Sequence, residues 1–440
     1  MSSVPASLLE LLRIPSVSAD PAHKGDVANA VQWVADFVAA AGGTGEVLAG
    51  TDGPLLVADV PASHDAATAP TVLLYGHVDV QPPAPLDLWE TPPFEPTVRG
   101  GWLYCRGVAD DKGQLWILLE AVRTLAAESA LPVNVCIVCD ADEEIGGRSA
   151  ADWLATVDTP ADAAVIFDTS MLAPGIPAFN LGARGTAYFH LTVRTGSRDV
   201  HSGVFGGAAL NATHALVEML AATVPTNGVL PAELRAGTLS PPAAELAAWR
   251  DLPPGQQVLD AQGAVPMDAR AAEDFYTRTW GATSLDVNGI EAGSPHLMKT
   301  IVVSEAHANV SMRLAPGQKV ADVTAALERL RRDAAPDGAT VQLDLLSACE
   351  PAIVPPDLPA ITLALEAFEK TLGVRPVLVR TGGSLPLMPA LIARGVPCVL
   401  TGFDVPDGNI PAPNERLLVE HLTLGTQTAR AVLSAYAGLR

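Results

Sequence analysis

Residues 71–79 read Thr71-Val72-Leu73-Leu74-Tyr75-Gly76-His77-Val78-Asp79. Thr71–Tyr75 is a short apolar run of the kind that forms a buried strand. It stops at a glycine, and the polar residues that follow are a histidine and an aspartate. In open α/β sheets, ligands gather beyond the carboxyl ends of the strands. The junction therefore marks both a strand and a candidate site. The pattern recurs: Val133–Cys139 (VNVCIVC) runs into Asp140-Ala141-Asp142-Glu143-Glu144, and Ala163–Phe167 (AAVIF) runs into Asp168. Between the first two runs, Leu115, Leu118, Leu119, Val122 and Leu125 share one face of a helix over Leu115–Ala127. Strands alternating with helices predict an α/β fold, with a mostly parallel mixed sheet flanked by helices. A strand at Val396–Leu400 and a helix at Val419–Tyr436 repeat that style near the end of the chain.

The middle of the chain is built differently. Ala187–Val193 (AYFHLTV) and Ala308–Leu314 (ANVSMRL) read as strands of a half-exposed sheet. Between them come a helix near Ala208–Ala222 and a stretch rich in Pro, Gly and Ala from Pro225 to Pro295. Residues 187–350 are expected to form a smaller α+β domain. It interrupts a discontinuous domain made of residues 1–186 and 351–440.

Composition narrows the function. The 440 residues suit two or three domains at roughly 150 each. Lys and Arg total 27 against 49 Asp and Glu, a net charge of -22. Such a chain repels phosphate backbones and anionic lipids, so no nucleic acid and no membrane is expected as a partner. Glu10 and Arg13 interrupt the leucines of residues 8–12, which suits an amphipathic helix rather than a secretion signal. Five cysteines in a chain of this length suit a reducing cytoplasm. Cys136-Ile137-Val138-Cys139 has CxxC spacing, but in a strand its two thiols point to opposite faces. Gly42-Gly43-Thr44-Gly45 follows a helix over Val31–Ala41 and lacks the lysine of a phosphate loop, so it reads as a helix stop.

The polar residues at the strand ends point to a metal. A further cluster, Arg106-Gly107-Val108-Ala109-Asp110-Asp111-Lys112-Gly113, opens the helix at Leu115. A lone His-x-Asp is usually a surface pair, and acidic doublets are more often solvated loops or caps. Four clusters of His and carboxylate, each beside a strand or helix end, suggest one shared site. Zinc takes imidazole and carboxylate ligands and keeps a position open for water in catalytic sites. Asp79 can hold the second nitrogen of His77. Asp110 can bridge two ions, and of Glu143 and Glu144 one can bind metal while the other moves a proton.

These stretches resemble the dinuclear zinc hydrolases that include carnosinase, cytosolic non-specific dipeptidase, acetylornithine and succinyl-diaminopimelate deacylases, and carboxypeptidase G. The matching motifs are LLYGHVDVQP, YCRGVADDKGQ, DADEEIGGRS, VIFDTS, LGARG, RDVHSGVFGG, KTIV, SMRLAPG and RTGGSLP, in family order across almost the whole chain. HSGVFGG and DDKGQ lean toward the dipeptidase branch. The resemblance implies a catalytic domain interrupted by a lid that often dimerises, and hence a homodimer through the lid. It implies His77, Asp110 and Asp168 as ligands of one Zn2+, with Asp110 bridging to a second held by Glu144. Mn2+ or Co2+ are alternatives. It implies Glu143 as general base on a metal-bound water, Asp79 as the support of His77, and a cis Asp110–Asp111 peptide. His201 would reach the partner's site to polarise the scissile carbonyl, and Arg313 would clamp the substrate's carboxylate. Thr300, Gly383 and Ser384 would touch substrate. The implied substrate is a dipeptide or an N-acyl amino acid.

One position departs. The family completes its second metal site with a histidine where this chain has Pro411, in Asn409-Ile410-Pro411-Ala412-Pro413-Asn414-Glu415. Proline has no side-chain donor. Of the nine histidines, only His421 is near in sequence, in an expected helix where it is not expected to point inward. Three outcomes stay open: a weak second ion on Asp110 and Glu144, a one-metal enzyme, or a hydrolase-like protein that binds peptide-like ligands without turnover.

Overall fold

The computed structural model describes residues 4–158, 161–383 and 385–439. The chain forms two compact units. Met1–Leu181, Val354–Val379 and Pro386–Arg440 make the first, and Gly182–Ile353 with Arg380–Leu385 the second.

The first unit is built on a mixed sheet. Its strands run in the order Thr44–Ala49, Pro54–Val60, Asn134–Asp140, Thr71–His77, Ala163–Phe167, Cys398–Thr401 and Ala178–Ala183. The four from Asn134–Asp140 to Cys398–Thr401 are mutually parallel. Thr71–His77 pairs with Asn134–Asp140 on one side and Ala163–Phe167 on the other, so the strand order reverses there. Such a reversal opens a crevice at the carboxyl ends. These strands are apolar on both faces because helices cover them. Lys112–Ala127 packs on Thr71–His77, Val419–Tyr436 packs on Lys112–Ala127, and Pro359–Leu372 packs on Val419–Tyr436.

The second unit carries a four-stranded antiparallel sheet in the order Ser284–Glu291, Glu305–Leu314, Gly185–Arg194, Thr340–Cys349. Helices Ala212–Ala221 and Val320–Ala334 pack on one face over Phe189, Leu191, Val193, Val310 and Met312. Along Glu305–Leu314, burial alternates residue by residue, so the other face carries the polar side chains. The helix expected from Ala208 begins at Ala212. Asn211 caps it by accepting from the N–H of Thr213, a bond that fixes the start four residues later.

Candidate metal centre

His77 is the last residue of the central strand and is fully buried. Its Nε2 lies 3.0 Å from Asp110 Oδ1 and 3.8 Å from Asp168 Oδ1. One ligand atom from each of these three residues falls within 4.8 Å of the others. On the other side of the ring, Nδ1 lies 3.1 Å from the Asp79 carbonyl and 3.4 Å from Asp79 Oδ1. With one proton held at Nδ1, Nε2 is the nitrogen aimed at the carboxylates, donating to Asp110 in the metal-free protein and offering its lone pair only when an ion displaces that proton. Asp111 Oδ2 accepts from the His77 N–H at 3.2 Å.

Glu143 and Glu144 follow in a short 3-10 turn, Glu143–Ile145, after Asn134–Asp140. Asp79 Oδ2 accepts from the Glu144 N–H at 3.0 Å. Glu144 Oε2 accepts from Gln81 Nε2 at 2.7 Å. Burial pushes the Glu143 carboxyl up to about 7, helped by the charges of Asp168 and Asp110 and opposed by His77. Burial and Asp110 push Glu144 up to about 8. Asp168 is raised for the same first reason, burial. Burial opposes a charge on His77, but hydrogen bonds to Asp110, Asp168 and Asp79 hold its pKa well above the ordinary value. One imidazole nitrogen and several crowded carboxylate oxygens fit a divalent cation of the zinc, manganese or cobalt type.

The loop that presents Asp110 is clamped from far along the chain. Glu415 is fully buried. Its Oε2 accepts from Arg106 Nη1 at 2.7 Å and from the Gly107 N–H at 3.0 Å. Its Oε1 accepts from the N–H groups of Ala109 and Asp110 at 2.8 and 3.2 Å. Gly107 has φ +83°, and a Cβ at Gly113 would lie 2.0 Å from the Val108 carbonyl oxygen, so both positions need glycine. The Asp110–Asp111 peptide is cis. A cavity of about 290 Å³ beside the cluster is lined by Asp110, Asp168, Ser170, Asp404 and Ile410.

The sequence alone assigns no role to Gln81 or Glu415, although Gln81 stands in YGHVDVQP and Glu415 in the tail around Pro411. Pro411 is exposed, and its carbonyl accepts from Arg106 Nη2 at 2.8 Å. His421 is buried in Val419–Tyr436, with Nδ1 2.6 Å from the Phe403 carbonyl. Among the described residues, it is not part of the ligand cluster.

The remaining candidates lie in the second unit. His201 pairs with Ile301 in a two-stranded ribbon, and the Ser202 N–H donates to the Thr300 carbonyl at 2.9 Å. His201 is exposed, and its Nδ1 accepts from the Gly203 N–H at 3.0 Å. That bond leaves the ring proton of a neutral His201 on Nε2. Arg313 lies opposite Thr186 and Ser284 on the polar face of the four-stranded sheet. Burial, with the positive charge of Arg313, pulls Arg184 down to about 10. The Gly383 N–H donates to Thr381 Oγ1 at 3.1 Å. Ser384 lies outside the described residues.

Known proteins are similar to this chain in sequence and in fold. The chain is 30% identical over 327 residues to a cysteinylglycine-S-conjugate dipeptidase of Corynebacterium striatum, covering 72% of this chain and 70% of the relative. It is 30% identical over 413 residues to a Cys-Gly metallodipeptidase of Schizosaccharomyces pombe, covering 86% and 84%. The fold matches an M20 family metallo-carboxypeptidase from Sulfolobus solfataricus with a TM-score of 0.84 at 22% identity, over 99% of this chain and 100% of that one. It matches the dipeptidase Dug1p of Saccharomyces cerevisiae with a TM-score of 0.78 at 23% identity, over 98% and 95%. Residues 73–435, from the strand that carries His77 to the final helix, match the model of one family, and the chain belongs to it: peptidase family M20/M25/M40.

Proposed function

We propose that this protein is a metal-dependent dipeptidase, whose ion is held by His77, Asp110 and Asp168. The observation that carries the proposal is the convergence of these three ligand atoms within 4.8 Å at the carboxyl ends of parallel strands. The relatives named as Cys-Gly dipeptidases supply the substrate class. Bound there, a divalent ion activates water and polarises a peptide carbonyl. Glu143 takes the proton of the attacking water and returns it to the leaving amine, a task for which a carboxyl tuned to about 7 is suited. Asp79 fixes the ring of His77, and Gln81 fixes the carboxylate of Glu144, which with Asp110 offers oxygens to a second ion. Asp110 and Glu144 lack a histidine partner at Pro411, so the second ion is held more weakly than the first. His201, with its available Nε2–H, is assigned to polarising the scissile carbonyl of a partner subunit in a homodimer. Arg313 is assigned to the substrate carboxylate, with Thr300, Gly383 and Ser384 as further contacts. These roles rest on the resemblance.

A second reading has its own support in Pro411, whose ring offers no ligand atom, and in His421, whose Nδ1 is engaged by Phe403. On that reading the protein binds peptide-like ligands without cleaving them. Elemental analysis of the metal-supplemented protein, with Cys-Gly and other dipeptides assayed on the same sample, separates the two. Hydrolysis with at least one ion per chain supports the dipeptidase. A correctly folded protein with no hydrolysis across the dipeptide panel overturns it in favour of the second reading.

A further inference from the structure

On the polar face of the second unit's sheet, two histidines meet. Antiparallel pairing sets His190 opposite Asn309, and Thr192 opposite His307. His190 and His307 are thus diagonal neighbours on adjacent strands, close enough for long side chains to touch. Their rings lie at 27° with centroids 5.3 Å apart, and His190 Nε2 is 3.2 Å from His307 Nδ1.

The outer nitrogens define what the inner ones carry. His190 Nδ1 is 2.8 Å from Asn309 Oδ1, an amide oxygen that only accepts. The His190 proton therefore sits on Nδ1. His307 Nε2 is 3.2 Å from Glu305 Oε1, a carboxylate that only accepts. The His307 proton therefore sits on Nε2. Both outward protons are held, and the two lone pairs face each other. Thr192 Oγ1 is a third donor atom, 3.2 Å from His307 Nδ1, and Thr192 is buried.

We propose that His190 and His307 chelate a divalent transition-metal ion on this sheet face, with Thr192 as an additional oxygen neighbour. Two imidazole nitrogens about 2.0–2.1 Å from a tetrahedral ion stand roughly 3.3 Å apart, close to the separation here. A histidine ligand that donates its other N–H to a carboxylate or amide oxygen is the usual pattern around bound metals. The surroundings favour a cation. Asp344 pairs with His190 on one neighbouring strand, and Glu291 pairs with His307 on the other. With two nitrogen ligands, the preference runs to copper, nickel and zinc ahead of manganese. The site would tie strand Gly185–Arg194 to strand Glu305–Leu314. It uses none of the residues assigned to hydrolysis and does not depend on the dipeptidase reading.

The test is equilibrium dialysis of the full-length protein against micromolar Zn2+, followed by metal analysis. His190→Ala and His307→Ala are each expected to hold about one zinc per chain fewer than the unmodified protein, with dipeptide hydrolysis unchanged. In the 15N-histidine spectrum, added Zn2+ should shift the inner nitrogen of each ring. Asn309→Leu, which removes only the acceptor behind His190, should weaken zinc at this site by about 10–100-fold. Equal zinc content in the unmodified protein and both histidine variants, with inner-nitrogen resonances that respond to pH but not to Zn2+, would overturn the proposal. The pair would then be a proton-sharing contact and nothing more.

Discussion

Glu143 and Glu144 are adjacent in sequence, yet their surroundings separate them. Glu144 is tied by Gln81 at 2.7 Å, which suits an oxygen ligand. Among the described residues no hydrogen bond restrains the Glu143 carboxyl, and burial lifts it to about 7, which suits a group that exchanges protons. Glu143→Gln should therefore lower kcat by about 10²–10⁴-fold while metal content stays unchanged. A variant that lost metal in proportion to activity would make Glu143 a ligand instead. Pro411 gives the complementary test. Pro411→His restores an imidazole at the departed position, and metal content is expected to rise toward two per chain with tighter retention under chelator. An unchanged stoichiometry would mean that the second ion needs no imidazole, or that the exposed 411 backbone does not direct one inward.

At the scale of elements, two buried charges act in opposite ways. Glu415 receives four donors from Arg106–Asp110 and shapes the loop that presents Asp110. Glu415→Ala leaves Arg106 buried without its carboxylate, and a loss of about 3–5 kcal/mol is expected in urea unfolding. Arg331 is fully buried on helix Val320–Ala334, and its three guanidinium nitrogens have no hydrogen-bond partner among the described residues. Arg331→Met should raise stability by about 1–4 kcal/mol, read from the urea midpoint. A destabilised variant would mean that the guanidinium has a partner in solution. The same scale decides what the sequence reveals. Thr71–His77 and Ala163–Phe167 were legible because strands buried on both faces are continuous apolar runs. The polar residues at their ends were legible because the chain changes character there. The clamp by Glu415 was not, since it joins residues 305 apart to Asp110 through backbone N–H groups that no side-chain pattern announces. Nor was the return of Arg380–Leu385 to the second unit, a segment too short to carry a periodicity of its own. His190 and His307 are 117 residues apart, and only the register of two strands brings them together.

For the whole molecule, the candidate metal centre contributes to how stability depends on pH. The chain already carries a net charge of -22, and the centre crowds half-buried acids whose charge solvent screens only in part. In the metal-free protein, burial raises Glu143 to about 7 and Glu144 to about 8 from an ordinary 4.5. Asp168 is also raised, and His77 holds its proton more tightly than an exposed histidine does. Each group binds its proton more strongly folded than unfolded. Between about pH 4.5 and 8, the folded state therefore carries more protons, and stability must fall as pH rises through that window. A bound divalent ion reverses the balance, because it needs the carboxylates ionised and the imidazole neutral. Chelated protein should melt at a higher temperature at pH 6 than at pH 8. Protein loaded with Zn2+ should lose that difference, and its gain over the chelated form should be larger at pH 8. If the chelated protein melted at the same temperature across this range, the raised carboxyls would not be titrating within the fold. If zinc stabilised it equally at both values, binding would not be coupled to their ionisation.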